Sequence, residues 1–276
     1  MRIDSHQHFW RLSRGDYGWI RPDMTAIYAD FLPPDLAPRL AAGGIDRTVL
    51  VQAAPTEAET QFLLGLARET AFIAGVVGWT DLAAPDAADR IAALARDPHL
   101  LGLRPMLQDM ADDGWMLSEA IAPAVRAMLS AGLRFDALVL PRHLANLRGF
   151  AERYADLPIV IDHGAKPFIA ARQIEPWARD MRRLAAETPL LCKLSGLANE
   201  AAPGWTADDL RPYSDVLVEA FGPKRLMWGS DWPVLRLAGD YAGWLATAQA
   251  LTAGLSEDDR SWIFGRTAAA FYGLTP

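Results

Sequence analysis

Apolar runs recur along the chain, and each is followed by a stretch with helical periodicity. They begin near Arg2 (RIDSH), Arg47 (RTVLVQA), Phe72 (FIAGVVGW), Leu100 (LLGLRPML), Arg134 (RFDALVL), Pro158 (PIVIDHG), Pro189 (PLLCKLSG) and Arg225 (RLMWGSDW). Most are continuously apolar rather than alternating, as expected of parallel strands covered on both faces. Between them, Phe62, Leu63, Leu66 and Ala67 form one helical face behind a predicted capping box, Thr56-Glu57-Ala58-Glu59. Ile121, Val125, Met128 and Leu129 form another, with Gly132 as a left-handed stop. Leu144, Leu147 and Ala151, then Trp177, Met181 and Leu184, repeat the pattern, and a last helix is predicted from Ser256 to about Tyr272. Eight strand–helix units predict an α/β fold, a (β/α)8 TIM barrel. A doubly wound open sheet is the alternative, but it uses fewer strands, and no Gly-rich phosphate loop follows the first run.

The first connection breaks the rhythm. Residues 9–30 contain Trp10, Tyr17, Gly18, Trp19 and Pro22 without clean periodicity. A connection of that length after a barrel strand is more often functional than spare, so it is expected to lie over the barrel mouth. A flap packed on the rim is the plainer alternative. No linker or composition break divides residues 1–276, which predicts a single domain.

Composition narrows the classes of function. The chain has 276 residues, 51% of them hydrophobic, and a formal net charge of -7. That is enough apolar material for a core, and the acidic balance disfavours nucleic-acid binding, which needs a basic stripe. The single Cys192 excludes an intrachain disulfide framework and a cysteine-built zinc site. No apolar run reaches the ~18 residues of a membrane span, and the opening MRIDSH does not read as a signal peptide. The expectation is a cytoplasmic protein acting on a small molecule without a nucleic-acid or membrane partner. Its oligomeric state is left open.

Chemistry in a barrel gathers at the C-terminal ends of the strands. Strand 1 ends in His6-Gln7-His8, strand 6 in Asp162-His163 and strand 8 in Ser230-Asp231. Residues i and i+2 of a strand point to the same side, so His6 and His8 can converge on a shared metal ion or a shared substrate oxygen. Asp231 lies between Trp228 and Trp232, where an unpaired carboxylate is costly to bury. A metal or the imidazoles would relieve that cost. The bland readings are a satisfied core histidine and an Asp that caps the next helix.

Taken together, Asp4-Ser5-His6-Gln7-His8-Phe9-Trp10, Asp162-His163-Gly164-Ala165-Lys166-Pro167, Lys193-Leu194-Ser195-Gly196 and Met227-Trp228-Gly229-Ser230-Asp231-Trp232-Pro233 resemble the amidohydrolase superfamily. They resemble most its amidohydrolase-2 branch, which holds sugar lactonases, fuconolactonase-like enzymes among them, and a pyrone dicarboxylate lactonase. The match spans nearly the whole chain in order. It implies a hydrolase with Asp231 as general base and His6, His8 and His163 polarising a carbonyl. The implied substrate is an aldonolactone such as L-fucono-1,5-lactone or a related deoxyhexonolactone.

The departures from the family pattern matter equally. Dinuclear members carry a bridging Lys or Glu at strand 4 and a His at strand 5, where this chain has Leu103-Arg104-Pro105 and Val139-Leu140-Pro141. At most one divalent ion is therefore expected, zinc before others, on His6, His8 and Asp231 with His163 nearby, and it is not required. No G-x-S-x-G elbow is present, and Ser5, Ser195 and Ser230 show no base relay, which disfavours a serine nucleophile.

Ten tryptophans suit sugar C–H faces. Trp19, Trp79 and Trp232 are candidate substrate contacts, as are the polar Gln52, Arg104, His143 and Lys166. With only two obvious cations in the mouth, an uncharged lactone fits better than a dicarboxylate. A metal-dependent decarboxylase or amide hydrolase on the same scaffold is one alternative, and a non-catalytic sugar-binding barrel is another.

Overall fold

The computed structural model describes residues 1–275. Eight parallel strands follow one another round the sheet in sequence order. They are β1 (Ile3–Gln7), β2 (Arg47–Val51), β3 (Ile73–Gly78), β4 (Leu100–Leu103), β5 (Arg134–Ala137), β6 (Ile159–Ile161), β7 (Leu191–Leu194) and β8 (Leu226–Trp228). The last strand returns to the first through the residues that follow it. Ser5 Oγ donates to the Trp228 carbonyl at 2.7 Å, and the amides of Asp231 and His8 donate to His6 and Trp232 carbonyls at 2.8 and 2.7 Å. The predicted (β/α)8 barrel is the observed fold.

Helices α1 (Pro33–Gly43), α2 (Glu57–Glu69), α3 (Ala87–Leu94), α4 (Ala122–Ser130), α5 (Leu144–Arg153) and α6 (Trp177–Glu187) cover the strands. They are joined by α7 (Leu197–Glu200), α8 (Ala207–Phe221), α9 (Tyr241–Leu251), α10 (Glu257–Ser261) and α11 (Thr267–Tyr272). Two local expectations are corrected. The capping box at α2 is only half formed. Thr56 Oγ1 accepts from the Glu59 amide at 3.1 Å, but the Glu59 carboxylate turns back to the amides of Ala53 and Ala54 at 2.8–3.1 Å. The final helix is also interrupted: a wider turn over Trp262–Arg266 separates α10 from α11, where Gly265 packs directly against the backbone of Met1.

Inside the barrel, Ile3, Val49, Val77, Leu101, Val160 and Met227 form an apolar cluster closed by Phe271 and Tyr272 of α11. Polar side chains sit beyond this plug. Strand β1 reaches them through an irregularity. Between Asp4 and Gln7 it takes three steps while β2 takes two from Thr48 to Leu50, the signature of a bulge. The bulge changes the phase of side-chain alternation. Asp4 faces outward and accepts from Tyr241 of α9 at 3.1 Å, whereas His6, of the same parity, faces the barrel interior.

The β8–β1 junction leaves no room for a side chain on Gly229. A Cβ there would lie 2.7 Å from the Cβ of His6 and 3.1 Å from its amide nitrogen. Gly229→Ala is expected to lose about 1–3 kcal/mol of stability, the usual scale of overpacking, as measured by urea denaturation. Wild-type stability in the variant would show that the junction yields.

Glu59 gives a pH-dependent term. Burial pushes its carboxyl up to about 7, against the pull of the Ala54 and Ala53 amides. A folded value above the ordinary 4.5 means that the native state holds this proton more tightly than the unfolded chain. Its contribution is full below 4.5 and is lost as the pH rises through about 7. From the size of that shift, the wild type is expected to lose about 3 kcal/mol relative to Glu59→Gln across this window. Denaturation curves at pH 4.5, 6 and 8 check it, and a constant difference between the two proteins would refute it.

Candidate active site

A pocket of about 250 Å³ opens at the C-terminal ends of the strands. His8, His163 and Asp231 reach its surface, and Trp19, Ala53, Arg104, Met106, Gln108, Asp109, Leu138, Lys166 and Val234 complete the lining. His6 is fully buried just beneath.

Asp231 organises the floor. Its backbone takes the left-handed conformation, φ +58°, which Asp tolerates better than most residues. The side chain is thereby turned to face three imidazoles: Oδ1 lies 3.1 Å from His8 Nε2, 3.7 Å from His6 Nε2 and 3.9 Å from His163 Nε2. His8 Nδ1 lies 2.8 Å from the Val51 carbonyl, which can only accept, so Nδ1 carries a proton and Nε2 is aimed at Asp231.

His163 comes from an unusual turn. His163, Gly164, Ala165 and Lys166 all have φ between +50° and +60°. Each non-glycine residue in this region costs roughly 1–2 kcal/mol, so surrounding contacts must hold the turn in place. Trp177 Nε1 donates to the Gly164 carbonyl at 2.7 Å, and the Lys166 amide donates to the His163 carbonyl at 2.9 Å. The turn brings both His163 and Lys166 to the pocket. Across from it, Gly196 must stay bare, because a Cβ there would meet His163 Nδ1 at 2.6 Å.

Ser195 Oγ lies 2.9 Å from His163 Nδ1. This corrects the expectation that Ser195 has no base beside it. The serine is fully buried and does not line the pocket, so it orients the ring and is not presented for attack.

Below His6 lies a cluster of buried charges that the motifs did not reveal. Lys193 Nζ is 2.5 Å from Asp136 Oδ2, 3.0 Å from Asp162 Oδ1 and 3.0 Å from His6 Nδ1. Arg104 reaches Asp162 Oδ2 at 3.2 Å and also donates to the Gln52 carbonyl. Tyr272 donates to Asp136 Oδ2 at 2.7 Å, which joins the apolar plug to the charges. The signal was present in PLLCKLSG and RFDALVL: a charge inside a strand buried on both faces must have a partner.

These surroundings set the protonation states. Burial alone would raise the Asp231 carboxyl, but the His163, His8 and His6 rings outweigh it and hold it below the usual carboxylate range. Asp162 behaves likewise: burial opposes its ionisation, and Lys193, His6 and Arg104 overcome that opposition. Burial pushes His163 down to about 4, and burial with the Lys193 ammonium pushes His6 well below its ordinary value. At neutral pH the floor therefore carries an ionised Asp231 against neutral His6 and His163 rings.

The donor set suits a divalent ion. Ligand atoms of His6, His163 and Asp231 lie within 4.8 Å of one another, and two imidazoles with one carboxylate are a familiar zinc set that keeps a position open. His8, expected as the third ligand, instead lies against Asp231, and His163 takes its place in the cluster.

The remaining candidates separate into two groups. Arg104, Lys166 and Trp19 line the pocket, and Trp19 Nε1 donates to the Ala53 carbonyl at 2.7 Å. Gln52 is fully buried behind it, with Nε2 donating to the Arg104 carbonyl at 2.8 Å. Trp79, His143 and Trp232 are not in the lining. The backbone of Trp79 is held by the Thr60 hydroxyl beside α2. His143 accepts from the Leu140 amide and contacts Asp113 at 3.1 Å. Trp232 packs between Phe9 and Phe31 under Arg39, because the left-handed residue before it turns the chain. Met106, Gln108 and Asp109 after β4 belong to the pocket but follow no motif.

Residues 9–30 form turns and a single short helical turn at Leu12–Arg14. Trp10 and Tyr17 are buried and pack on one another behind Trp19, so only Trp19 of the three lines the pocket. Among the described residues, no helix is long and apolar enough to cross a membrane.

Comparison with known proteins places this geometry in context. The family model described as Amidohydrolase matches residues 3–274. A curated L-fucono-1,5-lactonase of Burkholderia ambifaria is 50% identical over 277 aligned positions, covering 99% of this chain and 96% of that protein. A second protein of that name, from Burkholderia multivorans, is 40% identical over 286 positions, with 99% and 96% covered. The crystal structure of a Burkholderia multivorans amidohydrolase with bound zinc is 40% identical and has a TM-score of 0.94 over 100% of both chains. The chain belongs to the amidohydrolase family.

Proposed function

We propose that this protein is a sugar lactonase that hydrolyses L-fucono-1,5-lactone, or a closely related deoxyhexonolactone, to the sugar acid. The observation that carries the proposal is the Asp231 carboxyl, whose Oδ1 lies 3.1–3.9 Å from three imidazole nitrogens on the floor of a pocket of about 250 Å³. That volume is below the ~300–1,000 Å³ usual for drug-sized ligands and suits a single sugar ring. The named lactonases among the relatives support the reading.

Asp231 takes a proton from the attacking water as oxygen bonds to the lactone carbonyl carbon. Negative charge grows on the carbonyl oxygen, and the Arg104 guanidinium with the imidazole N–H groups offsets it. The ring C–O bond then breaks, and Asp231 returns its proton to the departing ring oxygen. His8, fixed through Nδ1 by the Val51 carbonyl, faces Asp231 Oδ1 with Nε2 at 3.1 Å. His6, His163 and Asp231 would hold at most one divalent ion, zinc by preference, which when bound supplies Lewis-acid polarisation of the carbonyl.

The walls favour a neutral substrate. Arg104 and Lys166 are the pocket's cations, but Asp109 lies in the same lining and Glu200 sits 3.9 Å from Lys166. A dianionic pyrone would meet these carboxylates, whereas sugar hydroxyls can bond to Gln108, Asp109 and Lys166. Trp19 offers an apolar face to the ring, and the loop that carries it covers the pocket and limits bulk water during ring opening.

Acid release from a panel of sugar lactones tests the activity, and no hydrolysis of any member would overturn it. Asp231→Asn is expected to lower turnover by at least ~10²-fold with modest change in substrate affinity. Near-normal turnover in a folded variant would refute the base assignment.

Trp19→Ala is expected to change the order of preference among lactones that differ in one hydroxyl orientation. If Trp19 is only packed on the rim, the variant should instead lose about 3 kcal/mol of stability with an unchanged order. Melting curves and the lactone panel on the same variant separate these outcomes.

A further inference from the structure

His6 is contacted in a way that neither of the other two imidazoles shares. A neutral imidazole has one N–H and one lone pair, and its neighbours decide which nitrogen has which. His8 gives its Nδ1 proton to a carbonyl, the arrangement usual for a metal-binding ring. His163 Nδ1 meets the Ser195 hydroxyl, which can donate or accept. His6 Nδ1, by contrast, lies 3.0 Å from the Lys193 ammonium, which has three protons and no lone pair. The ammonium's near polar atoms are Asp136 Oδ2, Asp162 Oδ1 and His6 Nδ1, and it is aligned for hydrogen bonds to the first and the last, leaving Asp162 Oδ1 as an ion-pair partner only.

We propose that Lys193 selects the tautomer of His6, placing its proton on Nε2, and thereby weakens uptake of a divalent ion at His6, His163 and Asp231. With Lys193 donating to Nδ1, the Nε2–H points toward the reaction centre, 3.7 Å from Asp231 Oδ1. There it is a hydrogen-bond donor for a developing oxyanion rather than a lone pair for an ion. To ligate through Nε2, the ring must move its proton to Nδ1 and give up Lys193. An acceptor stands ready for that second state. Asp162 Oδ1 lies 3.4 Å from His6 Nδ1, is buried, and receives no aligned hydrogen bond. His6 thus sits between an ammonium 3.0 Å from Nδ1 that favours the donor form and two groups that favour the ligand form, the Asp162 carboxylate at 3.4 Å from Nδ1 and the Arg104 guanidinium at 3.4 Å from Nε2, with the ammonium closest. Lys193 is a positioning residue, fully buried and outside the pocket lining. The proposal does not depend on which ester the pocket opens.

The direct test is nitrogen-15 NMR of the histidine side chains in the zinc-free, full-length protein, which reports the tautomer of each ring. The wild type is expected to carry the His6 proton on Nε2, and a proton on Nδ1 would overturn the proposal before any variant is made. Lys193→Met should move that proton to Nδ1, and zinc affinity, measured by calorimetric titration, should rise by roughly 10–100-fold, the scale on which partners of metal ligands act. Because Lys193→Met leaves two buried carboxylates short of a cation, Asp136→Asn with Lys193→Met is the balanced companion. Asp136 touches Lys193 and Tyr272 but not His6. The same tautomer shift and affinity gain in either folded variant support the proposal, and unchanged or weaker zinc binding overturns it.

Discussion

Two cations and two carboxylates are sealed together in the interior of this barrel, and the floor of the candidate active site is built on top of them. Lys193, Asp136 and Asp162 are fully buried and Arg104 nearly so. Removing one member of such a set leaves an uncompensated charge, at a typical cost of about 3–5 kcal/mol. Four different strands or their ends must therefore stay in register to keep the charges paired. Tyr272 ties α11 into the same set through Asp136, so the C-terminal segment helps to fix a site nearly the whole chain away. His6 rests directly on this base, and Arg104 carries its influence from the buried charges to the pocket wall.

Above that base, the side chains proposed to be catalytic are aimed by backbone that departs from regular geometry. The bulge in β1 turns His6 inward, and left-handed residues turn Asp231 and His163 toward the same point. Such conformations persist only where packing over-determines them. Here the supports are the Trp177 bond to Gly164, the bare face of Gly196 and the amide ladder from Asp231 to His6. The strain sits where it positions chemistry, at the ends of β6 and β8.

Floor and walls have different origins. The floor comes from strand ends locked by the barrel, while the walls come from the connections after β1, β2, β4, β5, β6 and β8. Reaction type and substrate preference can therefore diverge: the rim can change around Gln108, Asp109 and Trp19 while the imidazoles and Asp231 stay in place. Glu59 links the two levels, since it holds the Ala53 and Ala54 amides while the Ala53 carbonyl receives Trp19.

The barrel itself was legible in the sequence, because strands covered on both faces must be continuously apolar and eight such runs alternate with amphipathic helices. The positions of His6, His8, His163 and Asp231 at strand ends were legible for the same reason. Side-chain direction beyond the strand ends was not. Trp79, His143 and Trp232 follow strand ends in sequence yet lie outside the pocket lining, since the rotation of the chain there is set by tertiary contacts rather than by strand alternation. Lys193 and Asp136 are visible as charges inside apolar runs, but their pairing exists only once the barrel closes and brings β5 and β7 round a common axis. The bulge in β1 and the left-handed turn at His163 leave no sequence period, so only the folded chain determines where those imidazoles point.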